Sequence, residues 1–235
     1  MKQIKSDTYH HGNLKESLIS TALEMLDKEG LEAITLRELS TRIGTSRSAI
    51  YRHFKGKNDL MRAVILEGFA KLDQAIAPHF EHSEKPLLAR FHDMGASYTA
   101  FATSNPNLYR LLFGSDMSQE REEVCQEERP DLHRLLNNDA DETVINAEPD
   151  DAFHRLVKII VEAQQQGDFK EGDPILFATT IWSMLHGLSM LAIDGHLSVV
   201  GNVEAIYEMN YKLLLEGLSK SSYKVLRDPL FYHLS

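Results

Sequence analysis

The 235-residue sequence predicts an all-α protein, with a small three-helix unit at its N-terminus joined by a long helix to a larger helical domain. Three observations point there. Apolar residues recur at three- and four-residue spacing almost throughout, and no run shows strict alternation with β-branched enrichment. Helix-starting residues (Ser, Thr, Asp, Asn) and helix-stopping glycines punctuate these stretches. Between Thr35 and Phe54, two short helical segments are separated only by a glycine-containing turn.

The first helix is expected over 14–29. Leu14, Leu18, Ala22, Leu23 and Leu26 form its apolar stripe, Asn13 can cap it with Glu16 three residues on, and Gly30 stops it. Thr35-Leu36-Arg37-Glu38 has the spacing of a capping box, in which the Thr hydroxyl accepts from the Glu38 N–H and the Glu side chain reaches back. Leu36, Leu39 and Ile43 give this second helix a buried face, and Gly44 ends it. Thr45 or Ser46 then caps a third helix over 47–54, packed through Ala49, Ile50 and Phe54 and terminated by Gly56. A fourth, over 58–77, stops before Pro78 and connects the two parts of the chain. Breaks fall at 81–86, at Ser104-Asn105-Pro106 and at Gly114. The acidic, polar stretch 118–151 reads as a mobile loop. Helices resume over 151–166, ended by Gly167, then from Asp173-Pro174 to His196, and finally over 203–219. The expected domains are residues 10–70 and 71–235.

Composition narrows the function classes. A hydrophobic content of 43% is enough to bury a core. The longest apolar segment, 175–193, is broken by Thr179, Thr180, Ser183, His186 and Ser189, so no stretch of the ~20 residues that span a bilayer is expected, and no membrane partner. Residues 1–9 carry Lys2, Lys5 and Asp7 and no apolar core, so no signal peptide is expected. The single cysteine, Cys125, excludes an internal disulfide and fits a reducing cytoplasm.

The net charge of −10 is unevenly spread. Residues 1–60 hold ten Lys/Arg against eight Asp/Glu, and residues 61–235 hold fifteen against twenty-seven. From Ile34 to Lys57, Arg37, Arg42, Arg47, Arg52, Lys55 and Lys57 face only Glu38. A basic patch of this kind attracts a phosphate backbone; alone, it could equally be a solvated face. The helix-turn-helix around it decides between the two. In that motif the second helix enters the major groove and meets base edges with its first residues, while the preceding helix braces it. Ser46 opens the helix, and its polar face offers Arg47, Ser48, Tyr51, Arg52 and His53. Arg47 suits bidentate contact to guanine, and Ser48 can donate or accept. Tyr51, His53 and Lys57 suit phosphates, with Thr35 and Arg37 at the start of the second helix.

The segment from Ile34 to Ser46, followed by Ile50-Tyr51-Arg52-His53-Phe54-Lys55-Gly56-Lys57-Asn58-Asp59-Leu60, resembles the DNA-binding domain of TetR-family regulators. Tyr-x-His-Phe-x-x-Lys, here Tyr51 to Lys57, is highly specific to that family. The opening Tyr9-His10-His11-Gly12-Asn13-Leu14 resembles one subgroup, whose C-terminal domain carries Asn-Pro-x-Leu-Tyr-Arg-Leu-x-Phe-Gly and Trp-x-x-x-His-Gly, matched by Asn105 to Gly114 and by Trp182 to Gly187. The resemblance implies an all-helical homodimer with a larger ligand-binding and dimerisation domain. It implies DNA contacts at Thr35, Arg37, Arg47, Ser48, Tyr51, His53 and Lys57. Arg47 and Arg52 give this recognition helix more positive charge than is usual in the family. The last two helices, with Ile181, Trp182, Leu185, Leu188 and Ala192 on one and Ile206, Met209, Leu213 and Leu214 on the other, would form a four-helix bundle with their mates; the alternative is a core within one chain.

Tyr98, Phe101, Tyr109, Phe113, Phe153, Trp182 and His186 are candidates to line an effector pocket between helices, although aromatics at this spacing also build cores. His186-Gly187 reads equally as a packed histidine beside a close helix contact. His79-x-x-His82 has a helical metal spacing but no evident third ligand, so no metal and no cofactor are expected. Nucleophile elbow, phosphate loop and metal constellation are all missing from the sequence, and acidic neighbours discourage thiolate chemistry at Cys125, so no enzyme is expected. The expected function is a sequence-specific transcriptional regulator, a repressor released from an inverted-repeat operator by a small molecule. The alternative keeps the DNA-binding domain and gives the C-terminal domain a protein partner, for which the acidic 118–151 segment would suit a basic chain.

Overall fold

The computed structural model describes residues 14–81, 84–137, 139–197 and 202–220. The described residues form helices α1 (Leu14–Glu29), α2 (Leu36–Ile43), α3 (Arg47–Ile50), α4 (Lys57–Glu81), α5 (Leu87–Ser104), α6 (Pro106–Phe113), α7 (Ser118–Glu128), α8 (Pro130–Leu136), α9 (Glu142–Asn146), α10 (Ala152–Gln165), α11 (Pro174–Ile193) and α12 (Val203–Leu218). A short 3-10 turn, Leu31–Ala33, follows α1. The only β pairing among the described residues is an isolated bridge between Phe169 and Ser219. Asn13, His82 and the Tyr9–Asn13 part of the opening motif lie outside the described residues.

The chain divides into two compact units. One holds the described residues up to Glu67 together with Asn107–Glu123; the other holds Gly68–Pro106 and the residues from Val124 on.

In the first unit, α1 buries Leu18, Ala22 and Leu26 of the stripe its spacing predicts, together with Met25, while Leu14 and Leu23 are only half-buried. Ile34, Leu39, Ile50, Leu60, Met61 and Ile65 complete a core in which each is fully buried. Each such side chain contributes roughly 1.5–3 kcal/mol. Thr35 accepts from Glu38 N at 3.1 Å, so half of the expected capping box is present. The reciprocal half differs: the Glu38 carboxylate instead takes Arg42 Nε at 2.9 Å, one turn along α2. Gly44 ends α2 at φ 72°, a left-handed conformation that glycine reaches without steric cost. Asn107 Nδ2 donates to the carbonyls of Leu26 and Asp27, both at 3.0 Å, tying the start of α6 to the end of α1.

Helix α3 is shorter than the expected 47–54. Beyond Ile50 the bonds pass to the tighter pattern, Arg52 N to Ala49 O at 3.3 Å and His53 N to Ile50 O at 2.9 Å, before Phe54 closes on Ile50 at 3.0 Å. Phe54, 3% exposed, pins that tightened end.

Three further expectations are corrected. Helix α4 runs through Pro78 to Glu81 rather than stopping at residue 77. Only a single turn follows the proline, so one backbone bond is lost, and Ser97 Oγ donates to the nearby Ala75 carbonyl at 2.8 Å. The 118–151 stretch is not a loop, because α7, α8 and α9 occupy most of it. Arg121 binds the carbonyls of Leu111, Gly114 and Asp116, Pro130 occupies the first turn of α8, and Asp141 caps α9. Finally, α11, at 20 residues and mean hydropathy 1.5, is long and apolar enough to cross a bilayer by length and composition alone. Ile175, Ala178, Ile181, Leu185 and Leu188 are buried in the second unit, and a bundle's core helix passes the same test.

The second unit packs α5 against α10, α11 and α12. Tyr207 Oη donates to His92 O at 2.5 Å and Tyr211 Oη to Leu88 O at 2.8 Å, fixing α12 on α5. Gly95 permits this approach, since a Cβ there would lie 2.6 Å from Tyr207 Oη. Buried Arg90 forms a two-pronged pair with Glu162 of α10 at 3.1 and 2.8 Å. Asp173 caps α11 by accepting from Ile175 N and Leu176 N, as its Asp-Pro signature predicts.

Candidate nucleic-acid interface

The sequence sorts α3 into two faces, and the structure does the same. Ala49 and Ile50 are buried with Phe54, which fixes the helix from behind. Ser46, Arg47, Ser48, Tyr51, Arg52 and His53 are exposed. Tyr51 is 57% exposed, unusual for an aromatic in a monomer's own surface and apt for a groove or backbone contact. Ser46 is the cap: its Oγ accepts from Ala49 N at 3.2 Å and shares a hydrogen bond with Ser48 Oγ at 2.9 Å. Its first role is therefore to start the helix that carries Arg47. Thr35 and Arg37, at the start of α2, are also exposed, and Lys57, the first residue of α4, is half-buried. The Asp59 carboxylate caps that turn by accepting from Lys55 N at 2.8 Å.

Among the described residues, none of Arg37, Arg47, Arg52 and Lys57 has an ion-pair partner. Arg42 does. Its guanidinium holds Glu29 at 2.6 and 2.8 Å and Glu38 at 2.9 Å. The Glu29 hydrogen bond, then that of Glu38, raises the pKa of Arg42 well above its ordinary value, and the same bond lowers that of Glu29. Arg42 is thus a brace between α1 and α2 and not a member of the free basic surface. Nothing in the local sequence separated it from the other arginines, because Glu29 lies thirteen residues away.

The effector candidates divide. In the second unit Trp182 Nε1 donates to Tyr98 Oη at 3.0 Å, Phe153 meets the Trp182 ring edge-on at 5.9 Å, and His186 lies 6.1 Å from it. Burial pushes the His186 pKa down, which favours the neutral ring. Phe101 is buried on the same helix as Tyr98. Tyr109 and Phe113, 4.8 Å apart, belong to the first unit instead, and Tyr109 is fully buried there. Their helical spacing could not reveal which core they join. Among the described residues Gly187 is not at a close contact, since a Cβ there would meet nothing within 4 Å.

Sequence reasoning also missed a polar cluster at the start of α10. Asp73 of α4 accepts from Arg129 Nη2 at 2.8 Å and from Ala152 N at 2.7 Å. Burial, opposed by Arg129, pushes the Asp73 carboxyl up to about 6. The visible signal was Asp150-Asp151-x-x-His154, whose last two residues have one-turn spacing.

Comparison with known proteins agrees with this geometry. Residues 18–64 match the family described as bacterial regulatory proteins, tetR family, and residues 91–214, just over half the chain, match the tetracyclin repressor-like C-terminal domain. The nucleoid occlusion factor SlmA of Vibrio cholerae is 33% identical over 113 residues, 48% of this chain and 57% of that protein, so the chain spans only about half the length of the curated relatives it matches. A solved structure of a protein of unknown function from Rhodococcus sp. RHA1 superposes with a TM-score of 0.71 at 25% identity, covering 91% of this chain and all of that one (100%). A bacterial regulatory protein in the tetR family from Rhodococcus RHA1 gives 0.61 at 19%, covering 88% and 98%; at that identity the likeness speaks for the fold.

Proposed function

The chain belongs to the TetR family of bacterial regulatory proteins, and on that premise we propose that it is a repressor that binds an inverted-repeat operator as a homodimer and leaves it when a small-molecule effector binds. It is a DNA-binding transcription regulator, with the family and fold of regulators rather than of enzymes. The observation that carries the DNA-binding reading is the exposed basic face of Arg47 and Arg52, without ion-pair partners among the described residues and held by the buried Ala49, Ile50 and Phe54.

In this reading residues 10–70 bind DNA and residues 71–235 bind effector and partner subunit, in the cytoplasm. Arg47 and Ser48 read bases, with Arg52 beside them. Tyr51, His53, Lys57, Thr35 and Arg37 hold phosphates, and Ser46 sets the helix start. Subunits pair through α11 and α12. Of the apolar residues expected at that seam, Ile181, Leu185 and Leu188 are core residues of one chain, whereas Met209 and Leu213 stand 56% and 57% exposed. Leu176 and Leu191 of α11 are also exposed, at 62% and 45%. An operator whose half-sites lie one turn of DNA apart requires the two recognition helices of such a pair to stand about 34–36 Å apart. The effector site is the group around Trp182, with Tyr98, Phe153 and His186. Effector binding releases DNA only if it favours the conformation that fits the operator poorly.

The test is a binding titration of three variants. Tyr51→Ala and Lys57→Ala should weaken binding about equally across sequences, with the salt slope falling by about 1 for Lys57. Arg47→Ala should cost about 1–3 kcal/mol at its own base pair and relax preference there. Unchanged binding in all three would remove this surface from the interface. A C-terminal domain that answers a protein partner remains the second reading, favoured by the exposed Glu122, Glu127 and Glu128 of α7. A small-molecule thermal-shift screen set against a pull-down separates the two.

A further inference from the structure

At the start of α10, buried polar atoms converge without hydrogen-bond partners among the described residues. Asp151 caps the helix through Oδ1, which accepts from His154 N at 2.8 Å. Its other oxygen, Oδ2, has no hydrogen-bond partner, and the residue is 1% exposed. His154 is fully buried; its Nε2 lies 3.4 Å from the Ile145 carbonyl and its Nδ1 has no partner. One ligand-capable atom from each of Asp150, Asp151 and His154 lies within 4.8 Å of the others, and Asp150 is exposed. An unpaired buried polar atom costs roughly 1–3 kcal/mol, and more when charged, so two at one point call for an occupant.

Charge selects the kind of occupant. Asp73, Asp150 and Asp151 outnumber Arg129 and Arg155 in this cluster, and Arg129 is engaged by Asp73. Arg155, with Nε and Nη1 unpartnered, opposes a cation without cancelling the carboxylates. The excess is negative, which disfavours an anion. A histidine that directs one ring nitrogen at a backbone carbonyl and keeps the other free is arranged as metal-ligating histidines are. One imidazole nitrogen with two carboxylate oxygens suits a first-row divalent ion at about 2.0–2.2 Å. The exposed Asp150 gives solvent access and leaves coordination positions for water.

We propose that Asp150, Asp151 and His154 form a binding site for one divalent transition-metal ion, of the zinc class, at the N-terminus of α10. The site joins the segment after α9 to the first turn of α10.

The experiment uses the full chain after chelator treatment. Zn2+ binding is followed by calorimetry, and Co2+ binding by visible absorption. The expected result is one ion per chain, a raised melting temperature, and a Co2+ spectrum that shows nitrogen and oxygen ligation. Asp150→Asn, at an exposed position, should weaken Zn2+ at least tenfold and leave the metal-free melting temperature unchanged. Asp151→Asn keeps an oxygen for the helix cap but loses the charge, and should also weaken Zn2+ at least tenfold. Equal Zn2+ affinity in wild type and both variants would overturn the proposal, because the ion would then sit on histidines elsewhere. No saturable binding up to millimolar Zn2+ would overturn it too.

Discussion

Changing Met209 and Leu213 of α12 to serine should split the dimer and leave the monomer folded. Both side chains are more than half exposed, at 56% and 57%, so the chain's own core does not depend on them. Full burial of such a side chain is worth roughly 2 kcal/mol, so the exposed share of each is worth about 1 kcal/mol when a partner covers it. A two-fold interface uses every residue twice, so the double variant removes about 4 kcal/mol per dimer. That is about a thousandfold in the dimer dissociation constant. Sedimentation across the micromolar range reads the constant directly, and urea unfolding at low concentration reads the monomer. Monomer stability should stay within about 0.5 kcal/mol, as for surface changes generally. Two results would refute the reasoning. An unchanged dimer constant would place the interface elsewhere. A large loss of monomer stability would make this face part of the chain's own core.

Three further outcomes are expected. Arg42→Gln should lower the melting temperature by releasing Glu29 and Glu38, yet leave the salt slope of DNA binding unchanged; a reduced slope would return Arg42 to the phosphate-binding set. Trp182→Phe removes the indole donor to Tyr98 and should cost about 1 kcal/mol in urea unfolding, with no loss of operator affinity in the absence of effector. Asp73 has a carboxyl raised to about 6, so its neutral form favours folding: that stability is present below about pH 4 and is lost as the pH rises through 6. Wild type should therefore fall relative to Asp73→Asn between those values, by up to about 3 kcal/mol, and a parallel pair of pH–stability curves would contradict this.

How much could be read in advance follows from the range of the interactions. Helix starts and stops depend on residues within one turn, and so Thr35, Gly44, Asp151 and Asp173 stand where the sequence places them. The split of α3 into Ala49 and Ile50 inside and Arg47, Ser48 and Tyr51 outside is equally local. Contacts made across the fold were not legible. The pairing of Arg42 with Glu29 is such a contact, and so is the bond of Asp73 to Arg129, fifty-six residues on. Tyr109 and Tyr98 have the same chemistry and similar spacing, yet one fills the core of the first unit and the other holds Trp182 in the second. The helices in 118–151 were missed because their low apolar content masks good helix formers such as Glu and Gln. Ile181, Leu185 and Leu188, expected at a seam between subunits, are core residues of one chain for a related reason: a helix apolar on most faces does not announce which face its own chain covers.

The central claim is that α3 reads DNA as one half of a two-fold pair. Selection of bound sequences from random duplex DNA, using the purified 235-residue chain, tests it most directly. The expected site is an inverted repeat whose half-sites lie about one helical turn apart, with a guanine in each half that loses its enrichment when Arg47 is replaced by Ala. Recovery of no enriched sequence, or of the same site from wild type and Arg47→Ala, would contradict it.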